Sequence, residues 1–137
     1  YTFFVKDGKL RYTYSYVARN FYHIESNISI PEGRHQLRYE FEKTGEPDIL
    51  KGKGAPGLGQ LYIDGKLVGQ VEMPITNPIM LGLASGIAIG ADPGAPVTDE
   101  YQPPYAFTGK LYSVTIDVSG DLIRDSEAEM RIVMARQ

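Results

Sequence analysis

From Lys9 to Val17 the chain alternates: Leu10, Tyr12, Tyr14 and Tyr16 fall on one side of an extended backbone, Lys9, Arg11, Thr13 and Ser15 on the other. Such a period of two predicts a half-buried strand with one face in the core and one in water. Tyr1 to Lys6 predicts a strand before it, and Asp7-Gly8 between the two is a hairpin signal, because a type I′ turn needs positive φ at both central residues. Phe21 to Ser26 predicts a third strand. Arg34 to Glu42 alternates almost without fault, His35, Leu37, Tyr39 and Phe41 against Arg34, Gln36, Arg38, Glu40 and Glu42. A second Asp-Gly hairpin is expected at Gln60 to Val71, turning at Asp64-Gly65.

Further along the signal weakens. Ile79 to Leu83 and Gly86 to Gly90 are short apolar runs, and Ala91 to Pro104 carries four prolines, which cannot donate regularly to a ladder and predict a long loop. Phe107 to Val118 predicts a strand whose inward set changes from Phe107, Gly109 and Leu111 to Val114, Ile116 and Val118. That change of parity implies a bulge near Tyr112 and Ser113. In the tail, Ser126 and Glu129 form a capping-box pattern ahead of a stretch free of Gly and Pro, so a short C-terminal helix is expected over Glu127 to Gln137. Eight or nine short alternating strands bury their apolar sides best as two packed antiparallel sheets. The expected fold is an all-β antiparallel two-sheet β-sandwich of jelly-roll type, a single domain over residues 1–137.

Composition sharpens this. The 137 residues carry 15 Gly and 9 Pro, spaced between runs rich in Tyr, Val, Ile and Phe, the rhythm of an all-β chain. The 14 basic and 17 acidic side chains give a net charge of −3, with no basic stripe that would footprint nucleic acid. No apolar run approaches the roughly 20 residues of a helical membrane span, so a soluble protein is expected, the cytoplasm being the favoured compartment. The absence of Cys removes disulfides, thiolate metal sites and cysteine nucleophiles together. The opening Tyr1-Thr2-Phe3, without initiator Met or signal peptide, reads as a piece cut from a longer chain.

Candidate chemistry is sparse. Gly52-Lys53-Gly54-Ala55-Pro56-Gly57 matches the dinucleotide-binding glycine pattern, but a strand is expected after it where that pattern needs a helix. Glu40 and Glu42 project from one face about 7 Å apart, a separation within the glycosidase range. The same face carries Arg34, Gln36 and Arg38, so cross-strand charge pairing on a solvated sheet explains them without catalysis. His23 and His35 each share a strand with aromatics, and no Gly-x-Ser-x-Gly nucleophile elbow is present. Asp92, Asp99 and Glu100 bracket the proline-rich loop and offer hard oxygen ligands for Ca²⁺, with Asp92 and Asp99 as the candidate metal residues. Tyr101 and Tyr105 in the same loop are candidates to stack on a carbohydrate ring, or plugs that seal the end of the sandwich.

Gln60 to Gly69 and Phe107-Thr108-Gly109-Lys110-Leu111 with Val114-Thr115-Ile116 resemble hairpins of concanavalin A-like and laminin G-like sandwiches. Tyr22 to Ser26, Pro31 to His35, Leu37 to Phe41, Asp92 to Val97 and Glu127 to Gln137 resemble the C-terminal region of large bacterial arylsulfatases. That resemblance implies a module of a sulfuric ester hydrolase, with the catalytic sulfatase domain of the same polypeptide as its partner. The family's formylglycine arises in a Cys/Ser-x-Pro-x-Arg motif. Ser29-Ile30-Pro31-Glu32-Gly33-Arg34 departs from it, the Arg arriving one residue late, so no catalytic residue carries over. The resemblance therefore implies a non-catalytic, inactive fragment that stabilises the catalytic domain, shapes its entrance or mediates oligomers. The alternative it leaves is a laminin G-like carbohydrate-binding module using Tyr101 and Tyr105 with Ca²⁺ at Asp92 and Asp99.

Overall fold

The computed structural model describes residues 1–78 and 86–120. Strands β1 (Thr2–Lys6), β2 (Lys9–Tyr16) and β3 (Asn20–Ser29) form one antiparallel sheet in that order. A second is built from β4 (Leu37–Lys43), β5 (Gly57–Ile63) and β6 (Lys66–Met73), again in sequence order. The short pair β7 (Ala91–Asp92) and β8 (Tyr105–Ala106) closes the base of a loop. The mostly antiparallel β architecture is the one the alternation predicts. The expected strand at Ile79 to Leu83 and the expected C-terminal helix at Glu127 to Gln137 lie outside the described residues.

Both Asp-Gly turns form as expected. Asp7 and Gly8 sit at φ 52° and 71°, Asp64 and Gly65 at 49° and 79°, and the strands close in register at Lys6 opposite Lys9 and Ile63 opposite Lys66. The β2–β3 connection obeys the same geometry without the usual residues. Val17 and Ala18 take φ of 45° and 57°, with Arg19 N–H donating to Tyr16 O at 2.9 Å. A left-handed backbone costs an L-residue roughly 1–2 kcal/mol, and a β-branched side chain tolerates it least. The double variant Val17→Asn, Ala18→Gly is therefore expected to raise stability by about 1 kcal/mol. Urea denaturation with an unchanged m-value checks it.

The two larger sheets share one apolar core. Leu10, Tyr12 and Ile24 from the first meet Leu61, Ile63, Val68 and Met73 from the second, with Tyr39, Leu37 and Val71 packed at the margin. Tyr12 and Tyr39 stack across the gap, ring centres 3.6 Å apart and nearly parallel. Burial pushes both hydroxyls up from the ordinary phenol value, Tyr39 to about 12. Where β3 meets β6 the approach is so close that a Cβ on Gly69 would lie 2.7 Å from the Glu25 carbonyl oxygen and 2.9 Å from Ile24 Cγ2. Between Lys9 and Arg11 the β2–β3 register slips, and buried Ser26 fills the bulge: it accepts from Leu10 N–H at 3.1 Å and donates to Ile28 O at 2.6 Å.

Three expectations are corrected. Lys43 to Leu58, whose Gly and Pro content and weak periodicity predict an exposed loop, is not simply exposed: Ile49 and Ala55 are buried, a 3₁₀ turn forms over Ile49–Lys51, and β5 begins at Gly57. Gly52 is the left-handed cap of that turn, so the glycine pattern serves local turn geometry and runs into a strand. The expected strand over Phe107 to Val118 carries no ladder with any of the described residues; alternation supplies an amphipathic face, but a strand also needs a neighbouring edge to pair with. Gly86 to Gly90 is likewise without a strand, and Ile87 and Ile89 stand exposed.

Candidate functional site

The expected wet face of β2 is not wet. Thr13 is 0% exposed because the loop between β7 and β8 folds back as a strap over the outer side of the first sheet. Register sets the site: Arg11 lies opposite Glu25 and Thr13 opposite His23, so four polar side chains from two strands share one patch. Glu100 descends onto them from the strap. Its Oε2 accepts from Arg11 Nη1 at 2.6 Å, and its Oε1 lies 2.9 Å from His23 Nδ1 and accepts from Thr13 Oγ1 at 3.1 Å. Arg11 Nη2 pairs with Glu25 at 2.6 Å, which leaves Nε as the guanidinium's buried, unpartnered nitrogen. Lys6 Nζ donates to the Glu100 carbonyl oxygen.

Burial pushes the Glu100 carboxyl up, but hydrogen bonds from Arg11, Thr13 and His23 outweigh it and hold the group below its ordinary value. Arg11 is raised in turn, chiefly by its bond to Glu100. With a carboxylate 2.9 Å away, His23 Nδ1 is the ring nitrogen that donates to Glu100. Arg11, His23, Ile24, Glu25, Asp99 and Glu100 line a shallow, open depression of about 370 Å³. A carboxylate-held imidazole at its rim has the form of a general base. The nucleophile of a triad is missing, because the nearby hydroxyl, Thr13 Oγ1, lies 3.0 Å from Nδ1, the same nitrogen the carboxylate holds.

Of the four residues singled out between Asp92 and Tyr105, three hold the fold together: Asp92, Tyr101 and Tyr105. Tyr101 is only 4% exposed; its hydroxyl donates to Asp92 Oδ2 at 2.6 Å and accepts from Thr2 at 3.1 Å. Tyr105, half-buried, donates to the Val5 carbonyl at 2.7 Å. The two rings stack on each other, centres 4.5 Å apart, and both meet Phe4 edge-on. This is the arrangement of plugs, with the two rings stacked on each other and packed against Phe4. Asp92 also accepts from Gly94 N–H at 3.2 Å, an Asx turn, while Asp99 stands exposed at the depression. Among the described residues no group of three or more His, Asp or Glu side chains is placed to hold a metal ion.

The remaining candidates are also engaged. Glu40 pairs with Arg38, two residues earlier on the same face of β4, at 2.6 Å, and that guanidinium lies 4.3 Å over the Tyr62 ring; the charge pairing runs along one strand instead of across strands, and it engages the carboxylate. His35 Nδ1 lies 2.6 Å from Asp64 Oδ2 and its Nε2 3.2 Å from the Glu32 carbonyl. With an acceptor at each nitrogen, the doubly protonated ring is favoured and the His35 pKa rises, first through Asp64. His35 thus clamps the Pro31 to Gly33 turn to the β5–β6 hairpin tip. The Glu100 contacts span 77 to 89 residues, a separation no local pattern reports. The Arg11/Glu25 and Thr13/His23 pairings follow from the register that the Val17-Ala18 turn sets, a turn whose residues carry none of the usual hairpin signal. Among the described residues no helix is long and apolar enough to cross a membrane. No protein-family model matches the chain, and no curated protein or solved structure is similar to it.

Proposed function

We propose that the chain is a non-catalytic β-sandwich module of the concanavalin A-like or laminin G-like kind, from the C-terminal region of an arylsulfatase-like sulfuric ester hydrolase. It packs on a catalytic domain elsewhere in the polypeptide, stabilising that domain or shaping its entrance. The reading rests on the sequence resemblance and on one structural observation: the His23 base shares a single nitrogen between carboxylate and hydroxyl, so the site holds a strap in place and presents no nucleophile. Two sheets joined through one core are compatible with a sandwich. Sugar stacking on Tyr101 and Tyr105 would require lifting both rings off Phe4 and breaking three hydroxyl contacts, which weighs against the carbohydrate-binding alternative.

The test is a titration of this chain into the catalytic domain of a formylglycine sulfatase lacking its own C-terminal region. The thermal midpoint of the catalytic domain is expected to rise by several degrees, as it does for any ligand that binds only the folded state. An unchanged midpoint at a large excess of this chain contradicts the proposal.

A further inference from the structure

Residues 30–36 lie between β3 and β4 and carry the chain from the first sheet to the second. Each end of this connection is fastened to a hairpin tip. Ile30 N–H donates to the Gly8 carbonyl at 2.7 Å. Gln36 N–H donates to Asp64 Oδ1 at 2.9 Å, and its carbonyl accepts from Asp64 N–H at 2.9 Å. Between these anchors Pro31 to Arg34 stand exposed. Among the described residues, the hydrogen bond that reaches them is the one between His35 Nε2 and the Glu32 carbonyl, at 3.2 Å. The other ring nitrogen, Nδ1, lies 2.6 Å from Asp64 Oδ2.

Both partners of the ring are acceptors, and an imidazole donates from both nitrogens only when it is protonated. Whichever nitrogen a neutral ring leaves bare, a lone pair faces an acceptor. The ionised Asp64 is the stronger acceptor of the two, so the contact that gives way is the one to Glu32. The charged residues on the elements that meet here are Asp64 and Lys66 at the hairpin tip, and Glu32 and Arg34 on the connection itself. Among the described residues, Asp64 is the one whose charge meets the ring. Arg34 is engaged elsewhere, its guanidinium carbon 4.4 Å from the centre of the Tyr112 ring.

We infer that His35 is a proton-operated latch on this connection, tying the Pro31 to Arg34 turn to the β5–β6 hairpin tip when protonated and releasing it when neutral. Release also loosens the hold of Arg34 on Tyr112, so the latch reaches the 107–118 segment. Bonds to Asp64 first, and then to the Glu32 carbonyl, raise the pKa of the ring above its ordinary 6.5. The stabilisation is therefore fully present below pH 6.5 and is lost as pH rises through the higher, folded value. The inference does not depend on the sulfatase reading.

Two readouts on the whole chain test it together. The ring titration is followed by the His35 Cε1 proton resonance, assigned by its disappearance in His35→Gln. Opening of the turn is followed by tryptic cleavage after Arg34, taken as a ratio to cleavage after Arg19 in the β2–β3 turn, which cancels the pH dependence of trypsin. A site is cleaved in proportion to its open population, so the ratio is expected to rise about threefold or more between pH 6 and pH 9, following the ring titration. In His35→Gln the ratio should be independent of pH. In Asp64→Asn, where asparagine suits the left-handed turn position at φ 49°, both the titration and the ratio should shift together toward 6.5. Circular dichroism confirms that the variants fold. A ring that titrates at or below 6.5, a ratio that stays flat while the ring titrates above it, or the same rise in His35→Gln would each overturn the inference. None of these results bears on the sulfatase titration.

Discussion

Replacing Leu61 with alanine is expected to lower the stability of the chain by about 3–5 kcal/mol, much of what a domain of this size possesses. Leu61 is 0% exposed at the middle of β5, the central strand of the second sheet, and reaches the core where both sheets meet. Truncation there removes the transfer energy of the buried methyl groups and leaves a cavity. The walls resist collapse, because Gly69 already lets β6 approach the Glu25 backbone as closely as contact allows. Leu61→Met, which conserves volume, should cost less than about 1.5 kcal/mol. Thermal and urea denaturation followed by circular dichroism measures both, and equal losses for the two variants would contradict the packing account.

The second large effect is expected at Glu100. Glu100→Ala removes the acceptor for Arg11, Thr13 and His23 at once, leaving a fully buried hydroxyl and a guanidinium tied only to Glu25. Hydrogen bonds to charged groups contribute about 1.5–3 kcal/mol, and a broken, largely buried pair more, so a loss of about 3 kcal/mol is expected. The strap carrying Tyr101 and Tyr105 should loosen with it, seen as faster tryptic cleavage at Lys6 and Lys110. The pH dependence has a definite sign. The carboxyl is held below its ordinary value of 4.5, so its stabilisation is fully present above that pH and is lost as pH falls through the lower, folded value. The stability gap between the unmodified chain and Glu100→Gln should accordingly be wide at pH 7 and narrow steadily below pH 4.5. A gap constant down to pH 3 would show that Glu100 does not act as a charged acceptor.

The variant His23→Gln separates two roles for His23. If the imidazole serves the fold, its exposed Nε2 has no task and His23→Gln should cost no more than a lost hydrogen bond, about 1 kcal/mol. That is the expectation from the present geometry.

What the sequence announced was local. Asp7-Gly8 and Asp64-Gly65 need only their own φ values to declare a hairpin, and the faces of β2 and β4 follow from alternation. What it concealed depended on residues far apart. Thr13 sits on a face that alternation assigns to water, and only the return of Glu100 from 87 residues away buries it. Tyr101 and Tyr105 sit in a proline-rich loop, where exposure is the natural expectation. Their burial comes from the cross-chain contacts to Phe4, Thr2 and Val5. Phe107 to Val118 shows the converse: periodicity records the faces of a segment and is silent about which edge receives it, and none of the described residues does. The turn at Val17-Ala18 was hidden for a chemical reason, since neither residue favours the backbone it adopts.

The central claim is that the polar cluster on the first sheet anchors the strap and performs no chemistry. The purified chain incubated with nitrocatechol sulfate, with and without added Ca²⁺, tests this most directly. The account predicts release of nitrocatechol no faster than in buffer; turnover that disappears in His23→Ala would contradict it.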